Sequence, residues 1–168
     1  GEALEHDIVD LQLYAQQIDR DLRFFTWELR PAGLYQLGLV PALEDYVRQW
    51  SVNYGIQAEF DALGLGSERL PFDIEINLFR IAQEALHNVF KHAQATKVEV
   101  LLQRLETRVI LIIEDNGVGI DSTKSHGETR HGFGLTSMRE RAELMRGTCR
   151  FESVPGSGTT VIVSVALD

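Results

Sequence analysis

Arg80 to Ala93 reads R-I-A-Q-E-A-L-H-N-V-F-K-H-A. Ile81, Ala85 and Val89 recur at helical spacing and form an apolar stripe that suits a core. Glu84, Asn88 and Lys91 follow at intervals of four and three, so they stack along an adjoining side of the same helix. An acid, an amide and a cation in one line could hold a metal-bound phosphate. The same line also suits a solvated helix flank, and this helix alone does not choose between the two.

The chain around it has 168 residues, 44% of them hydrophobic and 24% charged, enough for one ordinary domain and a small appendage. The net charge of -9 argues against a nucleic-acid surface. It leaves room for an anionic small ligand, because backbone N–H groups bind phosphate without net positive charge. Cys149 is the single cysteine. It excludes an intramolecular disulfide and a cysteine-based zinc site, and it fits a reducing compartment. Its alternating neighbours predict a packed thiol. No apolar run reaches the ~18 residues of a membrane helix, and no signal peptide is visible. A start at Gly1 without Met reads as a fragment, which leaves a membrane anchor outside it as an open expectation.

Upstream, Leu4, Ile8, Leu11, Ala15, Ile18, Leu22, Phe25 and Leu29 form an unbroken heptad seam, with mostly Asp, Glu, Gln and Arg between them. Such a helix seeks other helices, in a coiled coil or a bundle. Arg30-Pro31 closes it, since the residue before proline avoids helical geometry. The boundary places residues 1–30 in one unit and 31–168 in another. Pro31 to Gly38 reads as a short connector, and Leu39 to Tyr54 as a helix stopped by Gly55. Ile56 to Phe60 alternates like a strand. Pro71 and Asp73 precede the opening helix, with Asp73 as N-cap or first-turn acid. Lys97 to Gln103 and Thr107 to Glu114 read as strands, with Val109 to Ile113 apolar on both sides. Ser122 to His131 is polar without apolar period and reads as a loop. A helix follows over Leu135 to Met145. Two strands, Thr148 to Val154 and Thr159 to Val165, are joined by a Pro155-Gly156-Ser157-Gly158 turn. The order predicts an α+β fold: a two-layer sandwich with helices on one face of a mixed sheet, preceded by the long heptad helix.

Four features have to be explained together. One is the line Glu84, Asn88, Lys91. Another is Asp115-x-Gly117-x-Gly119 at a strand end, where a carboxylate could accept a hydrogen bond from an exocyclic amine. The third is Gly132-x-Gly134 at a helix start, where free N–H groups favour phosphate. The last is Gly156-Ser157-Gly158-Thr159. Singly, each has an ordinary reading as a turn, a helix start or a hairpin; their order and spacing are far more specific. The pattern is neither the dinucleotide-binding fingerprint nor the P-loop.

Glu84-Ala-Leu-His-Asn88-Val-Phe-Lys91-His92 resembles the N box of the GHKL ATPase superfamily. Its members include histidine kinases, Hsp90-type chaperones, type II topoisomerase ATPase subunits and MutL-type repair proteins. Asp115-Asn-Gly117-Val-Gly119 is similar to the G1 box, Gly132-Phe-Gly134-Leu135 to the G2 box, and Gly156-Ser-Gly158-Thr159 to the final glycine box. The resemblance covers residues 31–168 and implies the Bergerat ATP-binding fold. Glu28-Leu29-Arg30-Pro31, with Leu34, Leu37-Gly38-Leu39 and Pro41-Ala42-Leu43, narrows it to sensor histidine kinases of the NarL/DesK type. Gly134-Leu135 leading to Met138-Arg139-Glu140-Arg141-Ala142 does the same. The heptad helix is then the tail of a dimerisation and phosphotransfer bundle.

The resemblance implies ATP and Mg²⁺ as ligands. Asn88 would hold Mg²⁺ against the triphosphate, as an amide oxygen suits a hard cation. Glu84 would orient or deprotonate a water, or bind the metal through water. Lys91 would contact phosphate and His92 would lie near the nucleotide. Asp115 would accept the adenine amino group, Gly117 and Gly119 would leave room for the base, and Ile120 would border it. Gly132, Gly134 and Leu135 would form the phosphate-facing edge of a short lid, and Thr159 would lie at the adenine floor. The implied reaction transfers the γ-phosphoryl group to a histidine and on to a response regulator receiver domain. The implied full-length protein is a cytoplasmic or membrane-anchored homodimer. His6-Asp7 looks like an acceptor pair but lies only 23 residues before Leu29 on one continuous helix, so the acceptor is expected outside this chain. His126 and His131 read as solvated. A different GHKL enzyme, such as a serine kinase, or a non-catalytic dimerisation module with a relict pocket are the alternatives. The L-R-P segment and the heptad helix oppose the first, and the intact Glu84, Asn88 and Asp115 oppose the second.

Overall fold

The computed structural model describes residues 32–66, 68–120 and 131–167. The heptad segment, the Arg30-Pro31 break, His6, His126 and residues 122–130 of the expected Ser122–His131 loop lie outside the described residues, while His131 belongs to a helix and not to that loop.

The connector expected after Pro31 contains a short helix, α1 (Ala32–Leu37), ahead of α2 (Leu39–Tyr54). Gly38 separates them at φ 93. The α2 boundaries are those the periodicity predicts. Leu39, Leu43, Tyr46, Val47 and Trp50 are all buried, and burying a side chain of this kind stabilises by about 1.5–3 kcal/mol. Gly55 ends the helix in the left-handed region, its N–H returning to Ser51 O. The chain then forms β1 (Gln57–Leu63), α3 (Phe72–Asn88), β2 (Lys97–Leu105), β3 (Arg108–Asp115), α4 (His131–Leu144), β4 (Thr148–Ser153) and β5 (Thr159–Ala166). Pro71 occupies the N-cap of α3, and Asp73 lies in its first turn without capping it. There its charge favours the positive helix end.

The single described sheet runs β1-β2-β3-β5-β4. The β1–β2 pair is parallel and the other three are antiparallel. This is the expected mixed sheet. Val98, Val100 and Leu102 of β2, Val109, Leu111 and Ile113 of β3, and Val161, Val163 and Val165 of β5 point into one core with the helices. Their alternation leaves Ile110 and Ile112 on the other face, where both are only half-buried. β3 is therefore apolar on both sides and, among the described residues, covered on one.

Arg69 and Glu75 brace the start of α3. Glu75 is 2% exposed and takes the Arg69 guanidinium at 2.9 Å from Nε. The same guanidinium donates to Leu34 O at 3.0 Å. One side chain thus ties α1, the loop before α3 and α3 itself. Its partner raises the Arg69 pKa further above its ordinary value. Cys149 is half-buried, and burial pushes its thiol pKa up to about 11, so it is the packed thiol expected and not a reactive one.

Candidate nucleotide site

The helix that carries Glu84 and Asn88 does not continue unchanged to Ala93. α3 ends at Asn88 and a π-helix covers Val89–Ala93. Its wider turn alters the phase of everything after Asn88. Glu84 and Asn88 keep the helical spacing predicted for them, while Lys91 and His92 belong to the π-turn and are exposed. The single line of three polar residues is therefore broken between Asn88 and Lys91.

Asp115 ends β3 with its side chain on the core face, 6% exposed. Strand alternation alone puts it there, two positions beyond Ile113. Its Oδ1 accepts the Gly117 N–H at 2.8 Å. Burial raises its pKa above the usual aspartate value, opposed by hydrogen bonds from the Gly117 and Thr159 backbones. Thr159 stands directly opposite Asp115 in the β3–β5 ladder. This juxtaposition joins two boxes separated by more than forty residues of sequence.

The glycines of the Asp115 loop are needed for close passage of chain past chain. A Cβ on Gly117 would run into Ala93 O, one on Gly119 into Val154 O, and one on Gly158 into Asp115 O. Their open sides are thus filled by protein backbone. Val118 N–H donates to Ala93 O at 2.8 Å and Gly156 N–H to Val118 O at 2.7 Å. These bonds clamp the loop between the π-turn and the β4–β5 hairpin. Ile120 is exposed, and its N–H donates to Ser153 Oγ at 2.7 Å.

Gly134 belongs to the first turns of α4, as does Gly132. The open side of Gly134 faces the Glu84 carboxylate, with Asn88 Nδ2 3.2 Å and Oδ1 3.4 Å from where a Cβ would be. The G-x-G at the helix start therefore meets the acid and amide of α3. Leu135 is half-buried against the core. Beyond it, Met138, Ala142 and Met145 anchor α4. Arg139 lies over the Phe151 ring at 5.1 Å and joins α4 to β4. A cleft of about 200 Å³ is lined by Arg80, Gln83, Glu84, His87, Ser137 and Arg141.

Two contributors escaped the sequence reading. Asn116 Oδ1 accepts the Thr96 and Lys97 N–H groups, each at 2.9 Å, and its Nδ2 donates to Thr96 Oγ1 at 2.9 Å. Ser153 Oγ donates to Gly158 O at 3.0 Å and pairs with Thr159 Oγ1 at 2.9 Å. The position of Asn116 inside Asp-Asn-Gly is a turn signal that could have drawn attention to it. Ser153 carried no signal, since it reads as one polar position of a strand.

The donor chemistry fits Mg²⁺. Glu84 and Asn88 bring oxygen ligands to one place beside a glycine, and Mg²⁺ favours one or two protein oxygens with the remainder from phosphate and water. Among the described residues no group of three or more His, Cys, Asp or Glu could hold a metal by itself. The site therefore suits a metal arriving with a phosphate ligand.

Comparison with known proteins identifies the family. The family described as histidine kinase-, DNA gyrase B- and HSP90-like ATPase matches residues 73–168. The chain belongs to that family of ATP-binding domains. More particularly, it is similar to the signal transduction histidine-protein kinase/phosphatase DegS of Brevibacillus brevis, 38% identical over 99% of this chain and 42% of the relative. The oxygen sensor histidine kinase NreB of Staphylococcus carnosus is 39% identical over 88% of this chain and 42% of its own length. The chain spans less than half the length of these relatives. The histidine kinase domain of a blue-light activated histidine kinase from Erythrobacter litoralis superposes with a TM-score of 0.60 at 18% identity, covering 77% of this chain and 61% of that one. That likeness supports the fold. No described helix is long and apolar enough to cross a membrane.

Proposed function

We propose that this chain is the catalytic ATP-binding domain of a two-component sensor histidine kinase, acting on the cytoplasmic side of a homodimeric protein. Residues 1–30 would supply the last helix of its dimerisation and phosphotransfer bundle. The γ-phosphoryl group would pass to a histidine outside this chain and then to the receiver domain of a response regulator.

The observation that carries the reading is the meeting of Glu84 and Asn88 with Gly134, taken together with a buried Asp115 paired with Thr159. In this reading Asp115 selects adenine, because a carboxylate accepts from an amino group and repels a carbonyl in its place. Thr159 and Ile120 border the base. Lys91, His92, Leu135 and the N–H groups near Gly132 and Gly134 attend the phosphates. Asn88 and Glu84 hold Mg²⁺, which when bound would neutralise charge on the transferring phosphoryl group. Glu84 also orients or deprotonates a water, or reaches the metal through one. The chain's work is positioning and charge stabilisation, as phosphoryl transfer demands.

The test is calorimetric titration of the chain with ATP, with and without Mg²⁺. Saturable binding at micromolar to millimolar affinity, strengthened by Mg²⁺ and made Mg²⁺-insensitive in Asn88→Ala, is the expected result. No detectable ATP binding would return the chain to the status of a relict module.

A further inference from the structure

The π-turn over Val89–Ala93 invites a physical account, because such turns are rare and concentrate at functional sites. Here contacts from outside the helix hold both of its ends. Near its start, the Phe90 ring stacks on Tyr54 with centroids 4.0 Å apart and planes at 35°. Tyr54 in turn lies 5.5 Å from the buried Trp50 of α2. At its end, Ala93 O accepts the Val118 N–H and abuts Gly117, and Gln94 leaves in the left-handed region at φ 51. Lys91 and His92 lie between these two anchors.

Phe90 remains 46% exposed. Core burial therefore explains it poorly, while its stacking partner gives the turn a fixed rotational setting. An aromatic pair of this kind is specific in geometry, unlike an aliphatic contact. We propose that Phe90, acting through Tyr54, is a positioning residue that sets the π-turn and so aims Lys91 at the phosphate end of the nucleotide. The inference rests on the nucleotide reading above. Asp115 itself is placed by the β3–β5 ladder, and its loop meets the π-turn only at the far end, through Ala93 O, so the adenine end depends less on the ring than Lys91 does. Without the ring, the turn can revert toward α-geometry, which rotates Lys91 about the helix axis relative to Asn88.

Binding of Mg-ATP and of adenosine to the full chain, measured by calorimetry and NMR titration, tests this. Phe90→Ala should weaken Mg-ATP about tenfold, the loss of roughly one charge-assisted phosphate contact, while adenosine affinity changes by less than about twofold. Phe90→Tyr should restore ATP affinity. Lys91→Ala should show the same selectivity, and the double variant Phe90→Ala/Lys91→Ala should bind ATP no worse than Lys91→Ala alone. Equal loss of ATP and adenosine, unchanged ATP affinity in Phe90→Ala, or additive losses in the double variant would overturn the proposal. Failure of the parent chain to bind ATP would remove the nucleotide reading and this inference together, before any variant is compared.

Discussion

Gly134 of α4 presents its open side to the Glu84 carboxylate of α3, with the Asn88 amide beside it. A methyl group there would meet the movable end of a side chain and not backbone. Gly134→Ala should therefore fold, with stability within about 1 kcal/mol of the parent. It should displace Glu84 and reduce ATP-dependent phosphorylation of a supplied acceptor domain at least about tenfold. Parallel melting and phosphotransfer assays check this; full activity would mean that Glu84 can relocate without consequence.

Gly158 is the contrasting case. It sits at φ 89, and a Cβ on it would collide with Asp115 O and approach Asn116 Cα at 3.1 Å. Both are backbone atoms, which cannot swing aside. Gly158→Ala should destabilise by about 2–4 kcal/mol, combining strain and collision. Denaturant unfolding measures it, and a loss below about 1 kcal/mol would show the hairpin to be pliable.

Asn88→Ala should silence phosphoryl transfer while costing the fold little. Its side chain is half-buried at the end of α3, with no cap hydrogen bond to the π-turn. The expected stability change is below about 1 kcal/mol. A collapse of the melting transition would instead mark Asn88 as structural.

Asp115 carries a pH prediction. Its folded pKa lies above its ordinary value of 3.8 because burial disfavours the charge. A raised carboxylate contributes stability below the unfolded value and loses that contribution as pH rises through the folded one. In the ligand-free chain Asp115→Asn should therefore match or exceed the parent melting temperature at pH 7, with the difference shrinking below the ordinary aspartate pKa. Adenine binding should behave oppositely: the substitution weakens it at pH 7, since an amide presents a donor where the ligand's amine needs an acceptor. Melting curves at several pH values and ATP titration separate the two effects. An unfolded Asp115→Asn chain would contradict both.

Arg69→Ala should lower the midpoint of denaturant unfolding, because it leaves Glu75 buried without its partner and removes the bond to Leu34 O. The double substitution Arg69→Met/Glu75→Leu should recover much of that loss. A neutral single variant would show that the Arg69–Glu75 pair does not hold α1 to α3.

Much of the fold was legible because its signals are local. The period of α2, the alternation of β2 and β5, and the glycine-proline turn at Pro155–Gly158 follow from short-range sterics and apolar spacing. The residue types of the site were legible too: the acid and amide one turn apart on α3, the aspartate at a strand end, the glycines in the first turns of α4. What failed were features set by partners distant in sequence. The connector after Pro31 hides α1, whose Leu34 is buried and bridged by Arg69. The helix expected to run to Ala93 opens into a π-turn held by Tyr54 and Val118.

The sequence by itself therefore determined the order of the longer elements, the mixed α+β class and a set of residue types chemically suited to phosphate, a metal and an amino group. Periodicity and side-chain chemistry are properties a linear chain already possesses. Only the tertiary structure decided that Thr159 stands opposite Asp115, that Gly134 closes on Glu84, and that Lys91 leaves the line of Asn88. Sheet register and helix packing settle those relationships, because the shared core is built only when all the elements bury their apolar faces together.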